Sequence, residues 1–358
     1  MRRLLTALVI VLVAEIAAAT PAAAEARFSS SAKAISDTGW IAGEVQVPNS
    51  ARCVASEENV CVRAAIFATD EGLVGVRKLG TLGGPSSRFT GVNSNGTIVG
   101  SAETAQPEPD FGGFVFKAVL SQRGGPLVDL GTLGGRNAQA QSISEAGKIV
   151  GLAQTSSGGF HAFVKSPGKA MTDLGTLPGG TSSAANVISG NGRYVTGFGD
   201  IAGGETRGFV WDGVAMRVLP PLPGGHFSRG NSVNSQGVVV GTSFDADGNV
   251  HAVIWHGDTP SKLAYNAAGF SRGTSIADSG VVVGWRVLQD GRARAFITNA
   301  WGGPSRLLPA LGPEAIALAV NDQGDAVGDS LTGGNDPNGI PRYEAVLYRG
   351  DEIINLAA

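Results

Sequence analysis

The sequence predicts an all-β fold: a seven-bladed β-propeller built from seven four-stranded repeats of about 43 to 57 residues. Three observations carry this. Turn glycines recur at Gly39, Gly96, Gly147, Gly192, Gly237, Gly280 and Gly324, at intervals of 57, 51, 45, 45, 43 and 44 residues. Each is followed by the same series of short apolar segments. The composition, 54 glycines in 358 residues with 16% charged and 42% apolar, suits many short strands and tight turns and excludes general disorder. No long stretch shows the 3.6-residue apolar period of a helix.

Within a unit, an apolar residue precedes each turn glycine by four: Ile35, Val92, Ile143, Ile188, Val233, Ile276 and Val320. The next residue is Ser36, Asn93, Ser144, Ser189, Asn234, Ala277 or Asn321, six of which can hydrogen-bond their own turn. The glycine supplies the positive φ that ends such a hairpin. A β-branched run then leads to a second glycine: Gly43, Gly100, Gly151, Gly197, Gly241, Gly284 or Gly328. The fourth copy carries one extra residue in Arg193-Tyr194-Val195-Thr196, read as a β-bulge.

The third strand begins with Ala or Gly in every copy: Ala64, Gly113, Ala162, Gly208, Ala252, Ala295 and Ala345. A position restricted to the smallest side chains implies close approach by a neighbouring backbone. The fourth strand reads Asp-Leu-Gly-Thr-Leu at Asp129 to Leu133 and Asp173 to Leu177. It diverges later, to Ile354-Asn355-Leu356 in the last copy. A blade covers both faces only by stacking on its neighbours. A β-solenoid is the second reading, ranked lower because its turns usually run about 20–30 residues. For closure we expect the physical blade to begin with the Asp-Leu-Gly-Thr-Leu strand, so that Ile354 to Leu356 complete blade one; the other option leaves closure to packing.

The chain divides into residues 1–24, a signal peptide, and 25–358, the seven repeats. Arg2 and Arg3 precede an apolar core from Leu4 to Val13, and Ala22-Ala23-Ala24 follows Pro21 as a cleavage site. A retained anchor is the alternative, disfavoured because Glu15 and Pro21 interrupt the run. Cleavage takes basic residues from 27 to 25 and acidic residues from 30 to 29, a net charge of -4. The expected location is secreted or periplasmic in a bacterium, with no stable membrane span after cleavage. The expected state is a monomer. Nothing in the charge suggests a nucleic-acid partner. Cys53 and Cys61 read as a disulfide closing a small loop in an oxidising compartment; two free thiols or half of a metal site are the alternatives.

The Asp-Leu-Gly-Thr-Leu-Gly-Gly and Ile-Ser/Asn-x-x-Gly-x-x-Val-Gly segments, with His161-Ala162-Phe163, resemble the HAF-repeat family of bacterial extracellular proteins. The resemblance covers essentially all of 25–358 and is strongest in copies two and three. It implies a secreted or envelope protein of propeller-like repeats and supplies no catalytic residues.

Candidate sites are few. The residue before the small one in the third strand is Arg63, Gly112, His161, Arg207, His251, Arg294 or Glu344, five of seven being Arg or His. Such a ring serves either inter-blade hydrogen bonding or, in Arg63, His161, Arg207, His251 and Arg294, the binding of an anionic polymer. Asp245, Asp247 and Asn249 have the alternating oxygens of a calcium loop, but lack its closing acid and also read as a hairpin turn. No cofactor is expected, calcium being the one alternative. No Gly-x-Ser-x-Gly elbow is present, although a Ser-His-acid set assembled in space stays open. The expected function is a non-catalytic binding or scaffold module with a glycan or protein partner. The rival is an exported propeller enzyme, a hydrolase or lyase acting on a polysaccharide or lactone, marked by an acidic or His cluster that breaks the sevenfold pattern.

Overall fold

Each apolar-turn-glycine segment folds as the hairpin its residues specify. In the third copy Ser144 N donates to Lys148 O at 2.8 Å, Lys148 N donates to Ser144 Oγ at 3.0 Å, and Gly147 takes φ 78°. The computed structural model describes residues 27–28, 30–47, 61–110, 112–263, 270–335 and 341–358. Among these residues every regular element is a strand, and the strands form seven sheets, each holding the four antiparallel strands of one copy. The fold is a seven-bladed β-propeller. Blade three is typical, with strands Gly134–Ile143, Ile149–Thr155, Phe160–Lys165 and Met171–Asp173. The first strands of successive blades touch one another round the whole ring and so lie innermost.

The second glycine of each copy is explained by a bulge in the first strand. The register shifts there in all seven blades, at Ala32/Ala34, Phe89/Gly91, Ala140/Ser142, Ala185/Val187, Gly230/Ser232, Gly273/Ser275 and Ala317/Ala319. The bulge pushes a first-strand carbonyl inward, to 2.0 Å from where a Cβ on Gly151 would sit. The bulged residue ties its blade to the next. Thr90 Oγ1 donates to Ala140 O at 2.9 Å, and Asn186 and Asn231 donate to Gly230 O and Gly273 O at 2.7 Å. The extra residue of the fourth copy is therefore not the bulge: it widens the turn, where Ser189 N donates to Tyr194 O.

The small third-strand residue also meets the next blade. A Cβ on Gly208 would lie 2.9 Å from Gly230 N. The amide of this residue donates to a first-strand serine of the following blade: Ala64 to Ser87, Ala162 to Ser183, Gly208 to Ser228, Ala252 to Ser271 and Ala345 to Ser30, at 2.8–3.1 Å. The core is correspondingly a set of apolar clusters between neighbouring blades, such as Val150, Ala162, Ile188 and Phe209 between blades three and four.

Three expectations are corrected. In blade two the third strand is Phe114–Gln122, and Ala118, not Gly113, stands opposite Ser101 in the small position; Lys117, not Gly112, precedes it. The Asp-Leu-Gly-Thr-Leu segment is only partly a strand. Its Asp ends the fourth strand and its Gly-Thr-Leu forms the crossover: Gly175 N donates to Asp173 Oδ1 at 2.7 Å, and Thr176 Oγ1 donates to Gly180 O at 3.2 Å. Blade one is built wholly from copy one (Ser30–Ile35, Ile41–Val47, Cys61–Thr69, Gly72–Lys78), so Ile354 to Leu356 do not complete it. The strand Glu352–Asn355 is the outer strand of blade seven.

Closure rests on side chains and a short strand. Arg27–Phe28 pairs in parallel with the third strand of blade seven. Ser30 Oγ donates to Glu344 Oε2 and Ser31 Oγ to Asp329 Oδ2, both at 3.0 Å. Asn321 Nδ2 donates to Ser36 O at 3.2 Å, and Asp322 N donates to Asp37 Oδ1 at 2.8 Å. Leu356 packs with Ala32, Ile41 and Phe67 of blade one. Burial raises the Asp329 carboxyl to about 6, with Lys33 opposing and Glu44 adding to the rise. Glu44 is held below the usual carboxylate range despite its burial, because Arg88 and Lys33 flank it at 3.7 Å.

Candidate functional site

The third-strand ring divides into two kinds of position. Arg63 and Lys117 reach the start of the next blade's first strand, donating to Pro85 O and Arg136 O, Arg207 donates to His226 O in the segment just before that strand, and Arg294 donates to Leu308 O at 3.2 Å. These are hydrogen bonds that fasten neighbouring segments of the ring. Glu344, the blade-seven member, accepts from Ser30 and from Arg342. The two histidines each pair with an acid, and Arg207 does so as well, with Glu205 Oε2 at 2.6 Å.

The local chain explains this. Blades three to six share a five-residue loop between second and third strands. Thr155, Ile201, Asp245 and Leu288 open it, and a positive-φ glycine lies three residues on, as in Gly158 N to Thr155 O at 3.0 Å. The opening side chain stands near the third-strand ring residue. It is apolar in blades four and six and polar in three and five.

In blade five Asp245 Oδ2 lies 2.7 Å from His251 Nε2, and Lys262 Nζ lies 3.1 Å from the same oxygen. Asp245 Oδ1 accepts the amides of Asp247 at 3.1 Å and Asn249 at 3.0 Å. The bond from His251, then that from Lys262, hold the Asp245 carboxyl far below the usual range against its desolvation. The residues read as a calcium loop are thus a hairpin loop whose acid is taken up by its own amides, an imidazole and an ammonium. Among the described residues no three His, Cys, Asp or Glu side chains converge as a metal would need.

Blade three carries a different set. Asp173 stands opposite Phe163, two residues along from His161 on one face of the ladder, and its Oδ2 lies 2.8 Å from His161 Nδ1. The Gly175 amide fixes the other oxygen. A carboxylate only accepts, so Nδ1 carries a proton, and in the neutral imidazole Nε2 carries the lone pair. Nε2 faces the loop, where Thr155 Oγ1 and Ser157 Oγ lie 2.9 Å apart. The His161 and Asp173 side chains are 24% and 41% exposed, so solutes reach both. A hydroxyl pair, an imidazole and an orienting carboxylate are the parts of a nucleophile-and-base site.

Sequence reasoning found His161 but missed Thr155 and Asp173. Its one available signal was their place in the repeat: the positions of Thr155, His161 and Asp173 are Asp245, His251 and Lys262 in blade five, and Ile201, Arg207 and Val218 in blade four. Of the other histidines, His256 lies 3.3 Å from Ala300 O and His226 packs edge-on against Phe244. At the channel rim Glu145 Oε2 accepts Ser94 N at 3.1 Å, and Asp322 Oδ1 accepts Asp278 N at 2.6 Å, so these acids bind turn amides of the preceding blade. Cys61 is buried at the start of its strand; Cys53 and residues 1–24 lie outside the described residues.

Against models of known families and against characterised proteins, the chain matches none. Among solved structures it is similar to the propeller domain of the trilobed protease of Pyrococcus furiosus, described as having an open velcro topology: 10% identity, TM-score 0.60, 93% of this chain and 99% of that one. It is also similar to a puromycin-hydrolysing peptidase of Mycobacterium tuberculosis, at 13% identity and TM-score 0.55 over 94% of this chain and 55% of that one. For a prolyl endopeptidase the values are 14% and 0.53 over 88% and 46%. The chain thus spans about half the length of these last two. These likenesses establish the propeller fold. They overturn the expectation of a non-catalytic binding or scaffold module, because propellers of this shape occur in hydrolases; the rival expectation of a propeller enzyme accords better with them.

Proposed function

We propose that this protein is an exported hydrolase of acyl compounds (an ester, lactone or amide) in which His161 of blade three is the general base and Asp173 positions it. The observation that carries the proposal is the 2.8 Å contact between Asp173 Oδ2 and His161 Nδ1, which leaves Nε2 able to take a proton beside two hydroxyls. Glycoside hydrolysis is disfavoured, since it needs two carboxyls flanking the scissile bond and this site has one. The likeness to propellers of a protease and of a puromycin-hydrolysing peptidase supports cleavage of acyl bonds. The proposal includes the N-terminal segment as an export signal, a Cys53–Cys61 disulfide and membership of the HAF-repeat family.

The test is turnover of a panel of aryl esters, lactones and aminoacyl amides by the protein and by His161→Gln. Wild type hydrolyses at least one class, and the variant loses about 10²- to 10⁴-fold in kcat/KM. Absence of turnover across the panel, or equal rates for the two proteins, contradicts the proposal.

A further inference from the structure

The outer strands of the other six blades run two to four residues, and blade five's contains Pro260. Short strands and proline are ways in which a sheet edge is kept from pairing with another chain. The outer strand of blade one, Gly72–Lys78, has neither device. It runs seven residues, and every one is exposed. Among the described residues it pairs only with the third strand of its own blade, so its outward N–H and C=O groups are open to a partner. We infer that this strand is the contact between two copies of the chain, laid antiparallel across a two-fold axis.

The middle of the strand is apolar. Leu73, Val74 and Val76 are 56%, 45% and 37% exposed, and they are three of the seven large apolar side chains exposed among the described residues. Val74, Gly75 and Val76 stand against Phe67 alone in the ladder, and Gly75 takes φ 68°. A bulge of this kind commonly blunts an edge. Here the residues it adds carry valine side chains to solvent, so the bulge presents apolar surface instead of hiding it. A methyl group built on Gly72 or Gly75 would meet nothing within 4 Å, so the space beside the strand is free.

The charges say what covers it. Asp70 and Glu71 precede the strand, and Arg77 and Lys78 end it. A second copy laid antiparallel about Val74 sets Asp70 against Lys78 and Glu71 against Arg77, and the two-fold axis repeats both pairs. A parallel copy sets acid on acid and base on base, which is unfavourable. An occupant of this edge must therefore carry the same charges in reverse order, and a second copy does so. Asp70 is also held by Arg123 at 3.0 Å, and Arg77 donates to Gly124 O at 3.2 Å; Glu71 and Lys78 are exposed. The contact uses one patch on both copies, so assembly stops at two.

The experiment is sedimentation equilibrium of the protein from about 1 to about 500 μM. The expected result is a weak dimer with a dissociation constant on the order of 10–100 μM, because one short edge buries less than the roughly 1,200 Å² of a standard interface. Val74→Lys, Glu71→Lys and Arg77→Glu each weaken it at least about 10-fold, at the wild-type melting temperature. An equimolar mixture of Glu71→Lys and Arg77→Glu regains the dimer, because the two opposite-charge ends of one heterodimer face each other again. A wild-type protein that is monomeric throughout overturns the inference. So does a dimer indifferent to all three substitutions, which places the contact elsewhere. A mixture no more associated than either variant alone overturns the antiparallel two-fold arrangement. None of these outcomes bears on His161, whose reading is tested by turnover.

Discussion

Most of the repeated residues of this chain answer to geometry rather than chemistry. Gly151 is glycine because the bulge of the first strand sets Gln139 O 2.0 Å from any Cβ there. Gly151→Ala should therefore cost at least about 3 kcal/mol, read as a shift of the denaturant midpoint; loss below 1 kcal/mol would mean that the bulge relaxes cheaply. The same arithmetic leaves Gly159 replaceable, since a Cβ there meets nothing nearer than 3.5 Å. Sequence pattern alone exposed the repeated glycines and the small third-strand residue, because every blade needs them. It did not expose Asp173 as the partner of His161. They are twelve positions apart, and their contact depends on the register of two strands and a crossover.

At the level of elements, first-strand serines carry much of the contact between blades. Ser228 Oγ accepts from Gly208 N at 3.0 Å and donates to Leu219 O at 2.6 Å, and it is fully buried. Ser228→Ala leaves both groups unsatisfied, so it should cost about 1–3 kcal/mol in an equilibrium unfolding measurement; a neutral result would show that water replaces the hydroxyl. Blade two shows why element boundaries were harder to read than element number. Its second and third strands run on to Thr97–Pro107 and Phe114–Gln122, so the apolar Phe114-Val115-Phe116 imitates the start of a standard third strand. The small residue then arrives late, at Ala118.

For the whole molecule, the phase of the blades was not legible in the sequence, since a repeat of four strands closes a ring whichever strand is counted first. The structure closes it by contacts between blades seven and one, among them the buried Asp329. Its carboxyl is raised from 3.8 to about 6, so the folded state favours the neutral acid. Stability is fully present below the unfolded value of 3.8 and is lost as pH rises through about 6, by roughly 3 kcal/mol. Asp329→Asn should flatten the dependence of melting temperature on pH between 4 and 7; parallel curves for the two proteins would place the titration elsewhere. The remaining departure from sevenfold regularity is blade three, where Thr155, His161 and Asp173 occupy positions filled by Asp245, His251 and Lys262 in blade five. The most direct test of the account compares kcat/KM on the best acyl substrate for His161→Gln and His251→Gln. The account predicts a loss of about 10²- to 10⁴-fold in the first and wild-type activity in the second. Equal values for the two variants would contradict it.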